Sequence, residues 1–119
     1  MSRQQKWASV AFDAITSVKK QAAGKDVDKD EYRTHSLKFP SLLIQSGLAQ
    51  AVAFIESRNP AGKQFIKDLT KAIDLKLDLK DRALKASLDE YTQLSAQALG
   101  AAAWFRRFAS ELKSDEGGD

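Results

Sequence analysis

His35 is the single histidine of the chain and stands four residues after Glu31, a spacing that puts both side chains on one side of a helix. An imidazole beside a carboxylate is the smallest kit for general acid–base work. Little else converges on the pair. There are no cysteines, the six glycines stand singly except for Gly117-Gly118, and no glycine-rich phosphate loop occurs. The 16 acids are scattered, without the paired Glu and Glu-x-x-His spacing of helical metal sites. The sequence therefore gives no support to catalysis, to a metal or to a cofactor.

The bases are better organised. Lys63, Lys67 and Lys71 recur at i, i+4 and i+8 and form a stripe along one helix. Like charges at that spacing repel by a few tenths of a kcal/mol per pair, so an anion would relieve them; a solvated face is the plainer reading. Arg33 and Lys38 flank a predicted turn, and Arg106-Arg107 lie near the end of the last helix, where they suit phosphate contacts or the helix dipole equally. Lys19 and Lys20 pose the same choice at the end of the first helix. Three of the 16 acids follow Lys113, so residues 1–113 hold 19 bases against 13 acids. That surplus suits an anionic partner but is also common on plain helical proteins. Trp7 and Trp104 could stack on bases, but their seam spacing favours a place in the core.

The elements that must position these groups read as helices. Two prolines and abundant Ala, Leu, Lys, Gln and Asp in 119 residues point to one all-α domain, a compact bundle of about five to six helices. We place that domain at residues 1–114 and an acidic, disordered tail at 115–119. The first helix runs from Arg3 to Ala23, with Gly24 as its stop and a polar linker from Lys25 to Asp28. Asp28 with Glu31 has the spacing of a capping box and starts a short second helix to about Lys38, with Tyr32 and Leu37 inward and Arg33 and Lys38 outside.

A break is expected at Phe39, because Pro40 favours the first turn of a helix and pushes its predecessor out of helical geometry. From Ser41 to Ile55 the chain is nearly all apolar, as befits a central core helix. Gly47 within it marks a crossing with another helix. The run is short of the about 20 residues of a membrane span. Asn59-Pro60 ends it, and Asn59 caps the next helix, Ala61 to about Asp74, whose apolar face holds Phe65, Ile66, Leu69, Ala72 and Ile73. Residues 75–80 alternate like a strand but lack a partner strand, and read as an extended connector or frayed turns with docking leucines.

One long helix is expected from about Arg82 to Lys113. Its seam runs through positions 84, 88, 91, 95, 98, 102, 105, 109 and 112, thin at Gly100 to Ala103 and bulky at Trp104, Phe105 and Phe108. The N-terminal MSRQQKWASVAFDAI lacks the apolar core of a signal peptide, so a cytoplasmic location is the default.

Tyr32-Arg33, the string from Phe39 through Pro40 and Gly47-Leu48-Ala49-Gln50 to Ile55, and the later Tyr91, Leu94, Ala98, Leu99 and Trp104 to Ala109 together cover about half the chain. This pattern resembles the small helical subunit of the Cmr complex, the type III-B CRISPR effector that silences RNA. Phe39 and Ser46 stand where that family often has leucine and asparagine, changes that touch packing more than chemistry.

The resemblance implies a non-catalytic subunit, several copies of which stack head to tail as a minor filament. It implies as partners the large and backbone subunits, further copies of itself, and a guide RNA/target RNA duplex in the groove it lines. Arg33, Lys38, Lys63, Lys67, Lys71, Arg106 and Arg107 are then the candidate contacts to the RNA backbone. Two alternatives stand beside it: a helical adaptor that binds protein without touching RNA, and a small RNA-acting enzyme using His35 and Glu31.

Overall fold

Six helices succeed one another: α1 (Arg3–Lys20), α2 (Lys29–Ser46), α3 (Leu48–Arg58), α4 (Pro60–Ala72), α5 (Leu79–Lys85) and α6 (Leu88–Ala109). The structure, a computed structural model, describes residues 1–21, 26–74, 76 and 78–112. No strand occurs among them. The all-α bundle is therefore as expected. The first helix ends at Lys20, short of the expected Ala23, because Gln21 takes the left-handed cap conformation (φ 50°) expected of Gly24; Gly24 itself, the leucines at 75 and 77, and the acidic tail lie outside the described residues.

Sequence-local capping sets most helix starts. Ser2 and Gln5 form a reciprocal capping box at α1, and the Asp28 carboxylate accepts from the Glu31 N–H at 3.0 Å at α2. Asn59 accepts from the Gly62 N–H at 2.8 Å, and Pro60 occupies the first turn of α4, which has no use for its missing N–H.

The centre departs from expectation. α2 continues through Phe39 and Pro40 to Ser46, so the break predicted at Phe39 does not form. A proline inside a helix removes one hydrogen bond, here the one to the Ser36 carbonyl. Burial of Tyr32, Phe39 and Leu43 on both sides of that gap holds the helix together across it. The chain breaks instead at Gly47, whose φ of 84° and ψ of 162° lie in a region open essentially to glycine alone. Gly47 is thus a hinge between α2 and α3 rather than a position within one helix, and what reaches it from α6 is the Tyr91 hydroxyl, 3.2 Å from where a Cβ would sit. Gly47 offers no side-chain cap to α3, and the Tyr91 hydroxyl of α6 takes that role by accepting the Ala49 N–H at 3.0 Å.

Closer approaches fall at two other glycines. A Cβ on Gly62 would sit 2.0 Å from the Ile55 carbonyl oxygen, and one on Gly100 would sit 2.4 Å from the Trp7 ring. The thin stretch read at Gly100 thus receives a tryptophan from α1.

The last helix is also divided. Leu79 and Ala83 are buried on α5, which Asp78 caps, and a reciprocal capping box of Ser87 and Glu90 opens α6. Of the expected seam, positions 98, 102, 105, 109 and 112 are buried, and 91 and 95 half-buried. Leu84 and Leu88, at 68% and 82% exposure, face solvent because the chain turns between them.

α6 packs along α1 and α2, while α4 lies between α1, α2 and α3, and α5 against α3. The core meets at Phe65 of α4, whose ring lies 5.8 Å from Tyr32, 5.4 Å from Phe39 and 5.4 Å from Phe105. Edge-on rings at such distances add about 0.5–1.5 kcal/mol per pair beyond burial. Beside them Asp68 is buried, accepting the Tyr32 O–H at 2.6 Å and the Gln64 amide at 3.0 Å. Burial first, and then the Asp68 charge and hydrogen bond, raise the Tyr32 hydroxyl well above its ordinary pKa.

Candidate nucleic-acid interface

His35 is not in a surface pair with Glu31. It is buried, and its Nε2 lies 2.8 Å from Asn59 Oδ1, so it braces the cap of α4. The ring nitrogen that faces this oxygen is committed to the fold, and among the described residues no carboxylate pairs with it. Among the described residues no three His, Asp or Glu side chains come together as a metal-binding group would require.

The seven predicted bases separate into groups. Lys63, Lys67 and Lys71 are exposed along the outer face of α4. The first two line a shallow depression of about 430 Å3 with Lys80 of α5, which the sequence reading did not single out. Glu56 and Asp78 share that depression, and Lys80 pairs with Glu56 at 3.7 Å, so its positive charge is partly offset.

Arg106 and Arg107 are exposed near the end of α6 and line a second depression of about 620 Å3 with Gln4, Leu37, Trp104 and Ser110. Lys38 lines a third, of about 450 Å3, between α2 and α3. Arg58 joins it there, its guanidinium 5.4 Å from the centre of the Phe54 ring. Leu37 borders both depressions, and among the described residues no carboxylate lines either. Lys38, Arg58, Arg106 and Arg107 therefore flank one ridge that carries cations and, among the described residues, no acid lining its depressions. Arg58 was missed; the signal for it is an arginine one turn after an aromatic, Phe54, on a helix end. Arg33 is not part of this ridge, being half-buried with its Nε enclosed and unpartnered among the described residues.

Neither tryptophan is a free stacking platform. Trp7 is buried against Gly100. Trp104 donates its Nε1–H to Gln4 Oε1 at 2.8 Å, and Phe108 stacks on it at 5.8 Å. Among the described residues no helix is long and apolar enough to cross a membrane.

The model of the CRISPR-associated protein family Cas_Cmr5 matches residues 3–112, nearly the whole chain. The chain belongs to the Cmr5 family. It is 39% identical over 115 residues to the CRISPR system Cmr subunit Cmr5 of Thermus thermophilus, spanning 93% of this chain and 96% of that one. It is also similar to the crystal structure of a CRISPR-associated Cmr5 family protein from Thermus thermophilus, with a TM-score of 0.82 and 36% identity over 96% of this chain and 99% of that one. The resemblance read from the apolar string and the Trp104–Ala109 block is thereby borne out.

Proposed function

We propose that this Cmr5-family chain is the non-catalytic small subunit of a type III-B CRISPR effector complex. In this reading it stacks in several copies as the minor filament and lines the groove that holds the guide RNA/target RNA duplex, in the cytoplasm. Its partners are the large and backbone subunits, further copies of itself, and the RNA. The observation that carries the RNA contact is the ridge of Lys38, Arg58, Arg106 and Arg107, whose two depressions no carboxylate lines among the described residues, since cations without nearby carboxylates are free to neutralise phosphates. The lysine stripe of α4 offers a second contact of the same kind.

Head-to-tail stacking needs two different surfaces on one chain. Leu84 of α5 and Leu88 at the start of α6 are exposed, and Phe12 packs edge-on to Phe108 near the end of α6, so two separate apolar patches exist, Leu88 and Phe108 being about 20 residues apart on a helix rising about 1.5 Å per residue. The commitment of His35 to Asn59 supports a passive role in cleavage.

Target binding by the assembled complex at several salt concentrations tests this reading. With Lys38, Arg106 and Arg107 all changed to Gln, affinity should fall and the slope of log K against log salt should flatten by about 0.7–0.9 per lost contact. Cleavage of bound target should be unchanged. An unaltered slope would overturn the RNA-lining role, and loss of cutting in His35→Ala with the fold intact would overturn the non-catalytic one.

A further inference from the structure

We propose that the groove between α2 and α3 is a binding site for one unstacked nucleotide of a single RNA strand. This deepens, and rests on, the reading that the chain lies against RNA. The groove encloses about 450 Å3, within the about 300–1,000 Å3 of small-ligand sites. Leu37, Leu42, Phe54 and Ile55 form its apolar walls, and Phe54 is 49% exposed, so its ring is open to a ligand. Arg58 lies over that ring, so ring and guanidinium form a stack that a base can extend, since bases stack on both kinds of plane.

The polar lining decides the class of ligand. Thr34, Ser41 and Gln45 line the groove and make no side-chain hydrogen bond among the described residues, while Lys38 and Arg58 make no ion pair there. The Thr34, Ser41 and Gln45 side chains are exposed to water, which a base edge can replace with its own donors and acceptors, and a phosphate meets the two cations. The apolar face of a docked helix would instead cover Thr34, Ser41 and Gln45 without pairing them, at a cost of about 1–3 kcal/mol for each group left unsatisfied. Single-stranded RNA is the form that presents an unstacked base together with its phosphate.

Backbone amide shifts of the full chain, titrated in turn with uridine 5′-monophosphate, adenosine 5′-monophosphate, uridine, inorganic phosphate and an acidic amphipathic peptide, test the proposal. Both monophosphates should move Gln45, Phe54 and Arg58. Phe54→Leu should weaken that binding about tenfold or more, and Lys38→Gln with Arg58→Gln should reduce it to the level of uridine. Phosphate giving the same shifts and affinity as the monophosphates, shifts produced only by the peptide, or no shift in the groove would each overturn the site. The readout needs no complex, so a flat salt slope in the complex with intact groove shifts would remove the RNA-lining role alone, and the converse would remove only this site.

Discussion

The two faces of α4 are made under different constraints. Inward, Gly62, Phe65, Ile66, Asp68, Leu69 and Ala72 are buried, and Phe65 touches three other rings. Outward, Lys63, Lys67 and Lys71 are exposed and make no ion pair among the described residues. Shape and hydrogen-bond satisfaction fix the inner residues, whereas only charge is asked of the outer ones. Stability and partner binding should therefore respond to separate substitutions on a single helix.

The largest effect is expected inside. Gly62→Ala forces a Cβ against the Ile55 backbone oxygen, which cannot swing away as a side chain would. Thermal unfolding should show a loss of about 3 kcal/mol or more. An unchanged Tm would mean that the α3–α4 corner is looser than described and the contrast between faces weaker.

Next comes Tyr32→Phe, which leaves the buried Asp68 carboxylate without its hydroxyl donor and should cost about 1–3 kcal/mol. The same pair predicts a pH dependence. An unfolded tyrosine loses its proton near pH 10, while the folded Tyr32 keeps it to higher pH. Above about pH 10 the native state thus binds more protons than the unfolded one, and stability falls as pH rises through the folded value. Denaturant midpoints from neutral pH upward should decline less steeply in Tyr32→Phe; an identical decline would assign the alkaline loss elsewhere.

The smallest effect on stability belongs to the outer face. Changing Lys63, Lys67 and Lys71 together to Gln should shift stability by no more than about 0.5 kcal/mol per residue, with relief of like-charge repulsion in the stabilising direction. In the assembled complex the same variant should flatten the salt dependence of RNA binding. A large drop in Tm would show that the stripe is structural after all.

Features decided by neighbours in sequence could be read in advance. The Asp28 and Asn59 caps, the apolar face of α4 and the thin stretch at Gly100 depend on spacing along a single helix, and each stands where it was expected. Failures came where distant contacts outweigh local preference. Pro40 sits inside α2 because buried side chains on both sides, Tyr32 and Phe39 before it and Leu43 after it, outweigh one lost hydrogen bond. Gly47 breaks the apolar run because Tyr91, 42 residues beyond Ala49, caps the start of α3. The Ser87-x-x-Glu90 capping box is a local signal as well, and it divides the long helix that the seam spacing alone suggests.

For the site, residue type found Lys38, Arg106 and Arg107, but only the packing of α2 between α3 and α6 brings them to one ridge with Arg58. Nor does spacing alone foretell that Asp68 is buried or that His35 turns to Asn59, since both depend on which helices become neighbours.

Membership in a working ribonucleoprotein is best tested by tagging this chain in its native host and sequencing the RNA and protein that co-purify with it. Recovery of CRISPR-derived guide RNA with the large and backbone Cmr subunits, in a stoichiometry of more than one small subunit per large subunit, is the expected result. A chain recovered with neither guide RNA nor companion subunits would contradict the proposal at its root.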